Sequence, residues 1–234
     1  MFKLIAFDLD GTLTEHRTKL GEENRSLLDA LSEKYKLLMV GAGSCQRING
    51  QMNKYPIDII GNYGLQYAKF HDGRLVLVRD EVLPCDYESV RARVDGLRKK
   101  YGFNDYKGES VEFHLSGSIT FPIIGTKAEI QDKLTFDPDK SIRRKIYADV
   151  CSTFDEYNVF IGGSSSFDIV PKPYNKYYAL DRYCAENILL HSEVLFVGDD
   201  YGVGGNDEPV FLSDFNFRKI DGYLNCRELL ADLL

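Results

Sequence analysis

Residues Lys3 to Thr14 read KLIAFDLDGTLT, and the rest of the chain is organised around them. The apolar run Leu4-Ile5-Ala6-Phe7 carries no charge and is too short for a helix, so it predicts a buried central strand. It stops at Asp8-Leu9-Asp10-Gly11, which sets two carboxylates at the strand's carboxyl end, the edge where open α/β sheets bind ligands. Side chains two apart on a strand share a face, so Asp8 and Asp10 point the same way. Carboxylates that close repel unless a cation or a shared proton relieves them. A hard divalent ion such as Mg²⁺ takes oxygen ligands and tolerates phosphate beside them. Asp-x-Asp-Gly also makes plain turns, and on these residues alone that reading stays open. A calcium-binding EF-hand loop is a third possibility, but Thr12 to Leu20 lack its pattern of further acids and closing Glu.

A length of 234 residues suits one large or two small domains and is ample for a core. Against 36 acidic residues stand 29 basic ones, a formal charge of −7, which argues against nucleic acid as the main partner. Small phosphorylated substrates remain compatible, since a metal and a few local cations match their charge. No run approaches membrane-spanning length and no basic, apolar leader is recognisable, so a cytoplasmic protein with no membrane partner is expected. The five cysteines are scattered without a Cys-x-x-Cys pair, which supports neither a zinc site nor a disulfide scaffold.

Along the chain, Leu27, Leu28 and Leu31 mark a helix over 24–35, and a strand follows over 36–40. This strand runs into Gly41-Ala42-Gly43-Ser44. Two glycines admit close backbone approach, and Ser44 with the start of the next helix can hydrogen-bond a phosphate. A dinucleotide fingerprint is the rival, but Gln46 stands where its third glycine belongs. Residues 56–60 predict a third strand, and 65–78 a hairpin around His71-Asp72-Gly73. From Asp80 the character changes. Helices at 87–101 and 139–154 flank alternating stretches at 110–115 and 118–124, and short strands at 158–161 and 166–170 complete an α+β module. A further buried strand, 193–197, ends in Gly198-Asp199-Asp200 and leads through glycines to Asp207, so acids occupy two separate strand ends. The last segment, 226–234, predicts a terminal helix.

FDLDGTLT resembles the first motif of the haloacid dehalogenase-like (HAD) phosphotransferases. The resemblance extends over nearly the whole chain and is nearest to the eukaryotic-type phosphomannomutase branch and the subclass IIB sugar phosphatases. It implies an α/β fold: a Rossmann-like core with a parallel sheet, formed by 1–80 and 174–234, and an inserted α+β cap of C2b type over 81–173. Asp8 then stands where the family has its nucleophile and Asp10 where it has its general acid/base. Ser44 matches the second motif, with Gly43 and Thr12 beside it as phosphate-binding candidates, although Cys45 replaces the family's Asp. The stretch Gly162-Gly163-Ser164-Ser165-Ser166-Phe167-Asp168, followed by Lys176, is similar to the branch's Ser-Phe-Asp segment and its lysine. Ser166 and Asp168 thereby become sugar-binding candidates, and Lys176 a catalytic and phosphate-binding one. Asn62 matches the family's Glu-Asn-Gly while Gly61 and Tyr63 depart from it, and Arg17 matches an arginine that contacts substrate. Asp199 and Asp207 match the fourth motif. The implied cofactor is Mg²⁺, held by Asp8, Asp10 through its backbone carbonyl, Asp199 and Asp207, with Asp200 as an additional acid nearby.

The implied chemistry is an aspartyl-phosphate on Asp8, with Asp10 moving the proton. Two outcomes separate at the second step: hydrolysis, which makes a sugar-phosphate phosphatase, or return of the phosphoryl group to a sugar, which makes a phosphomannomutase. Arg17 favours the mutase. In the cap, His114 and Thr126 stand where the branch carries arginines, and no arginine occurs between Arg98 and Arg143. Lys127 does not reproduce a bidentate arginine fork. That gap favours the phosphatase, which is the leading expectation, with the mutase second. A non-catalytic phosphosugar-binding module is the reading from another class. A monomer or homodimer is expected.

Overall fold

The computed structural model describes residues 1–234 and divides into two compact units. The first comprises Met1–Glu81, Asn175–Gly202 and Asp207–Leu234; the second comprises Val82–Tyr174 with Val203–Asn206. The chain starts in the first unit with β1 (Leu4–Phe7), α1 (Glu22–Ser32), β2 (Lys36–Val40), α2 (Cys45–Gln51) and β3 (Asp58–Gly61). All four residues of β1 are buried, and they alternate between two clusters: Ile5 and Phe7 pack on one face of the sheet, Leu4 and Ala6 on the other. Burial on both faces is why the strand reads as an unbroken apolar run. β4 (Gln66–His71) and β5 (Arg74–Asp80) form the hairpin expected around His71-Asp72-Gly73. Asp72 and Gly73 both take positive φ (50° and 74°), as a tight two-residue hairpin turn requires. A bulge interrupts the β4–β5 ladder, and Val76, Leu77 and Val78 of β5 are exposed at this edge of the sheet.

The second unit contains α3 (Tyr87–Tyr101), β6 (Glu112–Phe113), β7 (Ile119–Pro122), α4 (Ile130–Phe136), α5 (Ser141–Thr153), β8 (Tyr157–Phe160) and β9 (Ser166–Pro171). Its antiparallel sheet runs in the order β6-β7-β9-β8. Val90, Val94 and Leu97 of α3, and Ile146 and Val150 of α5, share one core with Phe121, Phe167 and Ile169 of the sheet. Asp86 caps α3 by accepting the Ser89 N–H at 3.0 Å, and Gly102, at φ 73°, closes it in the left-handed region. The strand expected over 110–115 pairs only at Glu112–Phe113. α4 was not anticipated, because it buries none of its residues and so leaves no apolar stripe to read.

The chain returns through α6 (Lys176–Asn187), β10 (Val194–Gly198), α7 (Glu208–Phe211), β11 (Asn216–Lys219) and α8 (Cys226–Leu229). The completed sheet has the order β11-β10-β1-β2-β3-β4-β5, parallel from β11 to β3 and antiparallel beyond. β1 therefore lies between β10 and β2, with Phe7 in register with both Val197 and Met39. The carboxyl ends of these three strands release Asp8, Asp199 and Ser44 at one edge. The terminal helix is shorter than expected: α8 stops at Leu229, and a single 3₁₀ turn, Ala231–Leu233, follows.

Candidate active site

Asp8 leaves β1 with its N–H still bonded to the Val197 carbonyl at 3.0 Å, so its side chain is placed by the sheet and not by a free loop. The Lys176 ammonium, fully buried at the start of α6, donates to Asp8 Oδ1 at 2.5 Å and to Asp207 Oδ1 at 2.7 Å. Asn175 fixes that helix start by accepting the Tyr178 N–H at 2.8 Å. Asp207 is also fully buried, and its Oδ2 accepts the Asp200 N–H at 3.0 Å, which ties the loop back onto the end of β10. One carboxylate oxygen from each of Asp8, Asp199 and Asp207 lies within 4.8 Å of the others. Gly11 makes that approach possible: its φ is 96°, and a Cβ there would stand 2.3 Å from Asp199 Oδ2.

Three carboxylates against one ammonium leave the cluster short of positive charge. Burial pushes the Asp8 carboxyl well above the ordinary aspartate range, with Lys176 opposing and the charges of Asp207 and Asp199 adding to the rise. Burial likewise raises Asp199 to about 6; the Asp207 charge adds to it, and Lys176 and the Thr12 hydroxyl oppose. Burial works to lower Lys176, but the Asp207 and Asp8 carboxylates outweigh it and hold the ammonium above the usual lysine value. Crowded, converging, hard oxygen donors fit a divalent ion such as Mg²⁺. Asp8, Asp199 and Asp207 are the side chains that would hold it. Adding Mg²⁺ is expected to raise the melting temperature, and to raise it more at about pH 7.5 than at about pH 5.5. The sign follows from Asp199: below its pKa of about 6 a proton competes with the ion, so the metal-dependent gain shrinks as pH falls. Thermal unfolding with EDTA or Mg²⁺ at both values measures this, and an equal gain at both would contradict it.

Asp10 lies beside this cluster in a different environment. Its Oδ1 accepts the Arg17 backbone N–H at 2.7 Å and the Gln51 Nε2 at 2.6 Å, and its Oδ2 faces the Arg47 guanidinium at 3.4 Å. Burial works to raise Asp10, but these three donors prevail and hold it below the usual carboxylate range. Arg17 thus meets Asp10 through its main chain. The Thr12 hydroxyl donates to Asp199 Oδ1 at 3.0 Å. Ser44 caps α2 by accepting the Arg47 N–H at 3.2 Å, and the Gly43 carbonyl accepts the Asn62 N–H at 2.8 Å. At Cys45, where an aspartate was expected from the resemblance, the backbone N–H is taken by the Gln66 side chain at 3.0 Å. Gln51 and Arg47 escaped the sequence reading. The available signal was a polar residue on the buried stripe Cys45, Ile48, Gln51 of α2.

In the second unit, Ser166 and Asp168 stand on β9, with Asp168 across from Thr120 on one side and Phe160 on the other. The Ser166 hydroxyl donates to the Gly162 carbonyl at 3.1 Å. His114 is hydrogen-bonded to the Thr120 hydroxyl through Nε2 at 2.8 Å.

A mostly parallel sheet with an aspartate just past the end of β1, a buried lysine on that aspartate and further acids in the segment that follows the neighbouring β10 is the arrangement of an enzyme of the HAD superfamily. Solved structures agree on the fold. An N-terminally truncated IMP-nucleotidase of Plasmodium falciparum superposes with a TM-score of 0.72 at 16% identity, over 100% of this chain and 70% of that one. A HAD-superfamily phosphatase of Bacteroides thetaiotaomicron gives 0.63 at 14% identity, over 100% and 96%. A sequence profile described as eukaryotic phosphomannomutase matches residues 100–220. The wheat (Triticum aestivum) phosphomannomutase is 30% identical over 90% of this chain and 86% of its own length, and the Saccharomyces cerevisiae phosphomannomutase 26% over 90% and 85%. The chain belongs to the eukaryotic phosphomannomutase family.

Proposed function

We propose that this chain is a Mg²⁺-dependent phosphotransferase that moves a phosphoryl group between hydroxyls of a hexose phosphate, in the manner of a phosphomannomutase. The observation that carries the reading is the Asp8 carboxylate at the end of the central strand, pinned through Oδ1 to the buried Lys176 so that Oδ2 is left to attack. Asp8 Oδ2 forms a bond to phosphorus as the bond from phosphorus to the sugar oxygen breaks, which leaves an aspartyl-phosphate. Asp10 delivers a proton to the departing sugar oxygen, then takes one from the hydroxyl that attacks next, and Asp8 is regenerated. Lys176 offsets charge on the nucleophile and the transferring group. A bound Mg²⁺ would neutralise phosphoryl oxygens at Asp8, Asp199 and Asp207.

A specific observation favours hydrolysis as a second reading. The two arginines that bracket the arginine-free stretch are both spent inside the second unit. Arg98 is buried and donates to the carbonyls of Phe103, Ser110, Pro122 and Ile123. Arg143 is buried against Asp137 at 2.8 Å and also serves the carbonyls of Gly162, Gly163 and Ser166. Neither guanidinium is left to grip a distal phosphate, and a mutase must hold its bisphosphate intermediate. The deciding experiment is a time course with Mg²⁺ and mannose 1-phosphate or glucose 1-phosphate, with and without a hexose 1,6-bisphosphate. The 6-phosphate isomer, stimulated by bisphosphate and accompanied by little free phosphate, is the expected result. Free phosphate without isomer would replace the mutase reading with the phosphatase one.

A further inference from the structure

Gln51 closes α2 in a position that suits an apolar residue. It is 7% exposed and shares the buried stripe of Cys45 and Ile48. A primary amide in such a place is costly unless its protons are bonded. Both are: Nε2 donates to Asp10 Oδ1 at 2.6 Å and to the Thr14 hydroxyl at 3.0 Å. The carboxylate acceptor fixes the orientation of the amide, because the flipped form would set carbonyl oxygen against carboxylate oxygen. The Arg17 N–H bonds the same Oδ1 at 2.7 Å, and Arg17 takes a left-handed φ of 59° to deliver it. Two short bonds on Oδ1, against a longer contact of 3.4 Å between Oδ2 and the half-exposed Arg47 guanidinium, make the two oxygens of Asp10 unequal.

We propose that Gln51 is the positioning residue of the acid/base group: it locks the Asp10 carboxylate by Oδ1, so that Oδ2 is the oxygen through which the proton passes. The inference rests on Asp10 acting as acid and base in the proposed transfer. In the forward step the proton leaves Oδ2 for the sugar oxygen as its bond to phosphorus breaks; in the next it returns from the attacking hydroxyl to Oδ2. Arg47 must move off Oδ2 for either event, and its exposed position permits that. Thr14, the other partner of the amide, belongs to the turn that follows Asp10, where the Gly11 N–H donates to the Thr14 carbonyl at 2.8 Å. One amide therefore fixes both the carboxylate and the turn that carries it.

The test compares leaving groups. Proton delivery is needed for a sugar alkoxide and not for p-nitrophenolate, so Gln51→Met should separate the two. For the variant, kcat on glucose 1-phosphate is expected to fall about 30-fold, within the span of general acid/base catalysis, with KM changed less than about threefold. The pre-steady-state burst of p-nitrophenolate from p-nitrophenyl phosphate, which reports phosphorylation of Asp8, is expected to slow less than about threefold, so the ratio of losses is about tenfold or more. Ile48→Val, a cavity in the same helix, controls for loosening of α2 and should leave that ratio at the wild-type value. Equal losses on both substrates, or no loss on either, would overturn the role of Gln51. Wild-type turnover that survives Asp8→Asn would overturn the parent reading as well, and that result stands apart from both.

Discussion

Asp8→Asn is expected to bring turnover of phosphorylated sugars below detection, a loss on the order of 10⁴-fold or more, while the protein stays folded. The asparagine is isosteric and keeps a carbonyl oxygen for Lys176 to bond, so the lysine does not lose both its carboxylate partners. It also removes one of three acids from a cluster that has a single ammonium, which relieves repulsion with Asp199 and Asp207. What disappears is the nucleophile, since an amide oxygen does not form the phosphoenzyme. Isomer and free-phosphate assays alongside thermal unfolding separate these effects. Activity within about tenfold of wild type would place the nucleophile elsewhere, and a collapsed melting temperature would make the assay uninformative about chemistry, which is why both are measured.

Lys176→Met is expected to destabilise the first unit by about 3–5 kcal/mol, the range for removing one partner of a buried ion pair. Methionine fills the space of the lysine stem but leaves Asp8 and Asp207 buried with no cation between them. The dependence on pH follows. Without the ammonium nothing opposes the burial that raises the Asp8 carboxyl above its unfolded pKa, so the folded protein binds more protons in the interval between. Stability of the variant therefore rises as pH falls into that interval, and the gap to wild type narrows. Urea unfolding of both proteins across this range measures it. A gap that stayed constant, or a cost below about 1 kcal/mol, would mean that Lys176 is not the charge that holds this cluster together.

The parts of this molecule visible in its sequence are those with one dominant cause. β1 and β10 are buried on both faces, so they had to be apolar and uncharged, and the acids that end them stood out against that background. The helix over Leu27, Leu28 and Leu31 declared itself by a single buried stripe. α6 did not: its buried stripe, Lys176, Ala179, Leu180, Tyr183 and Cys184, has helical spacing, but it opens on a charged residue and Tyr177 and Tyr178 put aromatics off the stripe, which removes the contrast between the faces. β11 was missed for a related reason: its four residues are half-buried or exposed and include Arg218 and Lys219, so it reads as surface. Around Asp8 the individual acids could be named in advance, whereas their partners could not. Gln51 and Arg47 reach Asp10 from another element, and nothing in the spacing of a chain says which buried amide will face which carboxylate.

The open edge of the first unit's sheet has a consequence for the protein as a colloid. β5 offers a row of exposed valines and leucine beside unpaired backbone, the kind of margin along which one chain can recruit another into a shared sheet. The bulge in its pairing with β4 puts a kink in that row, and Arg74 and Asp80 close it at either end with charge. An incoming strand finds a template that is out of step, which works against growth into a regular stack.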